Sequence, residues 1–266
     1  PIHMGQLAGS AWLPAAIGFL LSAVLLPLLS IMAISLTRAS SMYDLARPAG
    51  HSFALFFLLA THASLGLLIA SPRTATVTYS IGIAPFLGKD QQQIGLLIFS
   101  FIFFLTTFLL ARNESKITTY IGKLLNPLLL ILLAVIFFWA LVIKGDIRAI
   151  SFTSSPKLMS SNLINGFLQG YNTMDALAGL GFGVTIITAL KLMGLHQAST
   201  RAKAVAKVGS LAMGLEALIY MLLILLGAIS LGFSKLTANG GTAFNQIMTH
   251  YTGLIGTALL LSLIHI

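Results

Sequence analysis

The chain has 266 residues, of which 57% are hydrophobic and only 8% charged, with a mean hydropathy of +0.96 and a formal charge of +9. A soluble domain carries roughly a quarter charged residues, so this chain cannot cover a water-facing surface and lipid must be its solvent. The absence of cysteine excludes disulfides and thiolate metal sites, and the lack of a basic stripe with interleaved aromatics excludes a nucleic-acid partner.

A bilayer-spanning helix needs about 20 mostly apolar residues. The first such run is 11–36, interrupted by Pro14 and Pro27, and the second is 53–70, continuing past Pro72 with mixed polarity to 83. Prolines are tolerated there because neighbouring helices and local adjustments satisfy the freed carbonyls. A Phe-rich third run spans 94–111 and a fourth 124–143. The fifth, 163–190, is glycine-rich and polar in its middle. A sixth covers 205–233, and a seventh begins near Tyr251. These runs predict an all-α polytopic membrane protein.

Alternate loops differ in charge. One side holds Arg38, Arg47, Arg112, Lys116, Lys123, Lys191, Arg201, Lys203 and Lys207, and the other holds Lys89, Lys144, Arg148, Lys157 and Lys235. Lys and Arg accumulate in cytoplasmic loops, so the richer side is expected inside and residues 1–10 near the outer face. The chain starts at Pro1 rather than Met, and an odd number of preceding spans is expected. Residues 261–266 match one reading frame of a common transposase sequencing adaptor and are expected to be a scar, leaving 1–260 as a single transmembrane domain.

Polar groups at membrane depth are the informative exceptions, because leaving them unpaired costs several kcal/mol. The fifth run contains Gly166-Phe167-Leu168-Gln169-Gly170-Tyr171-Asn172-Thr173-Met174-Asp175-Ala176, followed by Gly179, Gly181 and Gly183. Gly170, Asn172 and Thr173 weaken continuous helix locally. A break there would bare carbonyl oxygens of one half-helix, which with Asn172 and Thr173 suit a small cation. The amide end of the other half-helix suits a carboxylate. The competing expectation is a straight helix whose small residues pack closely against neighbours.

In the second run, Arg73 either snorkels at a helix end or pairs with a carboxylate or a helix C-terminus. Thr74 and Thr78 share a helical face that can line a pathway. Glu216 in the sixth run is either a coupling-ion site or a residue near a helix end paired to a loop Lys. His3, His51, His62, His196 and His250 form no ligand pair on one helix face. No Gly-rich phosphate loop with Lys is present, so no cofactor and no ATP-binding subunit are expected. Catalytic carboxylates or a Ser/His/Asp constellation are lacking, which argues against an enzyme.

Pro72-Arg73-Thr74-Ala75-Thr76-Val77-Thr78-Tyr79 and Gly170-Tyr171-Asn172-Thr173-Met174-Asp175-Ala176 resemble signatures of the bacterial branched-chain amino acid:cation symporter family. Gly18-Phe19-Leu20-Leu21 and Ile121-Gly122-Lys123-Leu124-Leu125-Asn126-Pro127 agree with it. The resemblance implies the LeuT-type inverted-repeat bundle of the amino acid-polyamine-cation superfamily, in the bacterial cytoplasmic membrane, here as a fragment. On that scheme the chain holds the outer part of helix one, helices two to seven and the start of helix eight. Leu, Ile or Val would be imported by alternating access around a broken sixth helix, driven by sodium or protons. Substrate is expected at Gln169, Gly170, Tyr171, Asn172 and Thr173, and the coupling cation at Asn172, Thr173 and Asp175. Arg73, Thr74 and Thr78 line the pathway or support it, Asp175 being one possible partner of Arg73. Glu216 falls in no motif of the family. A channel or sensor of the same fold, without uphill coupling, is the alternative.

Overall fold

In lipid an isolated segment must satisfy its own backbone, and only a helix does so within one strand of chain. The computed structural model describes residues 1–37, 39, 41–84, 87–112, 123, 126–139, 156–237 and 240–252. Among these there is no strand. The helices are α1 (Ile2–Thr37), α2 (Met42–Ala46), α3 (His51–Gly82), α4 (Gln92–Ala111) and α5 (Asn126–Phe138). After them come α6 (Pro156–Tyr171), α7 (Asp175–Leu192), α8 (Ala198–Ser230) and α9 (Gly240–Thr252). Among the described residues five stretches are long and apolar enough to cross a membrane: Ile2–Thr37, His51–Gly82, Gln92–Leu109, Ser161–Leu192 and Ala198–Ser230. The chain is a multi-pass membrane protein. The fourth expected run lies partly, and the 261–266 tail wholly, outside the described residues.

Two helices carry irregular turns where their sequences demand them. In α1 the turn Leu21–Leu25 widens to π geometry just before Pro27, whose ring and missing N–H disrupt the preceding turn. In α3 the turn Ala63–Leu68 widens in the same way, and Ile69 leaves helical geometry (φ −125°) before the chain resumes at Ala70. Pro72 then falls in the first turn of the resumed helix, where its missing N–H costs nothing.

α1, α6–α7 and α8 form the centre of the molecule. Helix α1 runs parallel to α6–α7 along seams that start at Ala15–Gly166 and end at Ile34–Gly183, whereas α8 runs antiparallel to α1 from Phe19–Tyr220 to Ile34–Val205. Both approaches are backbone-close. A Cβ built on Gly18 would meet the Leu163 carbonyl oxygen at 2.0 Å, and one on Gly166 the Ala15 oxygen at 2.1 Å. Gly5 and Gly227 stand in the same relation to Ile224 and Ile2. Apolar burial drives little helix association in lipid, so small residues that admit close backbone contact, and hydrogen bonds between helices, do that work. Ser22 supplies one such bond, its hydroxyl donating to the Phe167 carbonyl at 2.6 Å. Met4, Ala8, Trp12, Phe19, Ile224 and Ala228 fill the space between α1 and α8.

At the end of this block where Gly9 and Leu231 meet, a separate short helix precedes the run expected from residue 11. A first segment, Ile2–Ala8, ends at Gly9 (φ 51°, ψ −120°), and the 3-10 turn Gly9–Ala11 leads into the run that starts at Trp12. Gln6, 3% exposed, ties α1 to the segment after α8. Its amide nitrogen donates to Ser230 Oγ (3.1 Å) and Ser234 Oγ (3.4 Å), and its oxygen accepts from the Thr237 hydroxyl (2.9 Å) and amide (3.3 Å). At the opposite end Arg201, also buried, donates through Nη1 to the His196 carbonyl (2.5 Å) and the Leu195 carbonyl (3.4 Å). It thereby fastens the tight α7–α8 turn, a task its count as a topology charge did not suggest.

Candidate functional site

The run expected at 163–190 is two helices. α6 ends at Tyr171, Asn172 and Thr173 form a turn, Met174 adopts left-handed geometry (φ 61°, ψ 17°), and α7 starts at Asp175. Left-handed backbone costs a non-glycine residue about 1–2 kcal/mol, and Met174 is the only such residue among those described. Strain of this kind collects where function over-determines the backbone. The break lies at mid-span, because Gly170 packs on Phe19 and Ser22 and Gly179 on Pro27, all near the middle of α1.

Local bonds define what the break offers. The Thr173 amide and hydroxyl both donate to the Gly170 carbonyl (3.2 and 2.6 Å), and the Met174 amide to the Tyr171 carbonyl (3.1 Å). The Asn172 carbonyl accepts from Arg73 Nη1 of α3 at 2.9 Å. Arg73 therefore meets the C-terminal end of α6, where the helix dipole is negative, and no carboxylate among the described residues. At the other side of the break no side chain caps α7, and Asp175 occupies its first turn. The Asp175 carboxylate accepts from the Tyr220 hydroxyl of α8 at 3.1 Å, so Asp175 pairs with Tyr220 where Arg73 was one expected partner.

Tyr220 is held edge-on against Phe19, with ring centroids 5.1 Å apart. Glu216 lies one turn earlier on α8. Glu216 thus lies deep inside a 33-residue helix beside the break, and not near a helix end beside a loop lysine. Sequence reasoning missed Tyr220 altogether, and Ser22 with it. The available signal was the i, i+4 spacing of Glu216 and Tyr220 in an otherwise apolar stretch.

Across the break from α8, a recess of about 460 Å³ is lined by Ala70, Arg73, Thr74, Val77 and Thr78 of α3 with Thr173 and Met174. The two sequence stretches that stood out are therefore brought to one place. The Thr74 and Thr78 hydroxyls donate to the Ala70 and Thr74 carbonyls one turn back (2.9 and 2.8 Å), which leaves their lone pairs as acceptors. Of the five residues expected at the substrate, Thr173 lines this recess and Asn172 contributes its carbonyl beside it. Gly170 is buried against α1, while Gln169 and Tyr171 are exposed and do not line the recess. Gly170 thus has a packing task, set by the close approach of Ser22 and Phe19.

The family described as branched-chain amino acid transport protein matches residues 1–266. The chain is 38% identical over 264 residues, 98% of its length, to the branched-chain amino acid permease BraB of Bacillus subtilis. It is 35% identical over 261 residues to the branched-chain amino acid permease BrnQ of Lactobacillus delbrueckii subsp. lactis, and 35% over 263 residues to the branched-chain amino acid transport system 2 carrier protein of Pseudomonas aeruginosa. It covers 97% of itself in the first of these and 98% in the second, and spans 58% of the length of each of the three relatives. No solved structure matches the chain. The chain belongs to the branched-chain amino acid transport protein family.

Proposed function

We propose that the full-length carrier imports leucine, isoleucine and valine across the bacterial cytoplasmic membrane, coupled to sodium or protons, by alternating access around the break between α6 and α7. Residues 1–260 would form part of one LeuT-type transporter domain. The observation that carries this reading is the mid-span break at Asn172–Met174, in a chain whose relatives are named permeases and carriers of branched-chain amino acids. Broken helices at mid-membrane supply bare carbonyls and amides together. A zwitterionic substrate needs both, with its ammonium at the carbonyl end of α6 and its carboxylate among donors. The oxygens of Asn172, Thr173 and Asp175 offer acceptors to a small cation. The backbone-close packing of α1, α6 and α8 supports motion of this group as a block against α3, with the recess at their boundary.

The test uses the full-length carrier in vesicles. Asn172→Ala and Asp175→Asn should each abolish cation-driven leucine uptake while membrane insertion is unchanged, and normal uptake by both variants would refute the site. Uphill accumulation of leucine by the wild-type carrier separates a symporter from a channel or sensor, which cannot concentrate its solute.

A further inference from the structure

An arginine at the level of a mid-span break is costly unless something uses its charge. Arg73 makes one hydrogen bond, through Nη1 to the neutral Asn172 carbonyl, and no ion pair with a carboxylate among the described residues. A guanidinium offers five N–H donors in a planar fork and stays charged in a protein, so four donors are left for another acceptor. The acidic residues at this level lie on the other side of the break, Asp175 bonded by Tyr220 of α8 and Glu216 one turn earlier on the same helix. Asp175 also sits in the first turn of α7 and offsets the positive end of that helix. A second carboxylate is therefore poorly served by the α7 N-terminus alone.

The recess beside Arg73 is amphiphilic. Ala70, Val77 and Met174 give it an apolar part, and Arg73, Thr74, Thr78 and Thr173 a polar part. Its volume falls within the range of small-ligand sites, about 300–1,000 Å³. We infer that Arg73 is the anchor for the α-carboxylate of the amino acid substrate, which it grips through its free N–H groups, while the aliphatic side chain lies on Ala70, Val77 and Met174. The inference rests on the transport reading above and assigns Arg73 a task beyond support of the pathway. The Arg73–Asn172 bond then sets the fork at the break, so that carboxylate and ammonium are held by groups tied to each other.

Leucine binding to the purified full-length carrier tests it, with Arg73→Lys, Arg73→Gln and Val77→Trp compared with wild type. Arg73→Gln removes the charge and the planar fork, leaving two amide donors on a shorter side chain, so affinity should fall by about 100-fold. Arg73→Lys should stay within about tenfold of wild type. Val77→Trp fills the recess, leaves the guanidinium in place, and should abolish binding. Melting temperatures close to wild type show that the variants are folded. Should Arg73→Gln fail to fold, Val77→Trp and Arg73→Lys decide together. Wild-type affinity in Arg73→Gln, equal losses in Arg73→Lys and Arg73→Gln, or undiminished binding by Val77→Trp would each overturn the anchor while leaving transport intact. A wild-type carrier that binds no leucine would instead sink the transport reading, and the anchor with it.

Discussion

The seam between α1 and α6 makes a sharp prediction about Gly18. An alanine there would place its Cβ 2.0 Å from the Leu163 carbonyl oxygen, 2.9 Å from the Leu163 carbonyl carbon and 3.0 Å from the Phe167 nitrogen, all of them backbone atoms that no rotamer change can move. An ordinary carbon–oxygen contact begins near 3.3 Å, so the helices must separate by about 1.3 Å. Separation of that size forfeits a quarter or more of the dispersion energy along the seam and breaks the 2.6 Å bond from Ser22 to Phe167. Overpacking costs typically about 1–3 kcal/mol, and an interhelical bond in a membrane about 0.6–2 kcal/mol. Gly18→Ala should therefore destabilise the full-length carrier by roughly 2–4 kcal/mol. The matched control is Gly214→Ala on α8, where no described residue lies within 4 Å of the added carbon and alanine should be neutral or stabilising by up to about 1 kcal/mol. Thermal unfolding in one detergent gives the comparison. Equal melting temperatures for Gly18→Ala and Gly214→Ala would show that the two backbones are not in contact at this depth.

Two further substitutions probe the ends of the same block. Gln6→Leu removes a buried amide that bonds Ser230, Ser234 and Thr237; it should cost about 1–3 kcal/mol and raise hydrogen exchange across 231–237, and exchange at the wild-type rate would count against the network. Arg201→Met keeps the stem but frees the Leu195 and His196 carbonyls, so proteolysis within 193–197 should accelerate at least several-fold while cleavage at 231–237 does not change. An unaltered cleavage pattern would refute the role of Arg201 as the fastener of the α7–α8 turn.

Much of the helical layout was legible in the sequence because apolar run length is nearly the sole requirement for crossing lipid. The expected 94–111 and 205–233 runs appear as Gln92–Ala111 and Ala198–Ser230. Their ends shift by a few residues because polar first turns, such as Ala198-Ser199-Thr200-Arg201, extend helices beyond the apolar boundary. The start of α1 was less legible. Residues 1–10 are expected only to lie near the outer face, whereas Gly5 admits the Ile224 carbonyl and Gln6 is bonded within the protein. Composition cannot separate a polar residue facing water from one satisfied by residues more than 200 positions away.

The broken helix shows the same limit in a sharper form. Glycines that pack and residues that unwind a helix are rival expectations for the fifth run, and both are present because they occupy different positions. Gly166 and Gly170 are four apart and share the face turned to α1, and the break falls after Tyr171, beyond that face. Helical spacing makes the first fact readable, while the second depends on Asn172, Thr173 and the strained Met174. Arg73 could be singled out by its charge alone, yet its partner lies 99 residues along the chain and only folding identifies it as the Asn172 carbonyl. The same geometry bears on movement within the proposed transport cycle. Contacts as close as Gly18–Leu163 and Gly166–Ala15 have a single register, since sliding either helix by one residue drives Cβ atoms into backbone. α6 must then travel with α1, which leaves the Asn172–Met174 turn and the recess under Arg73 as the boundaries that can open.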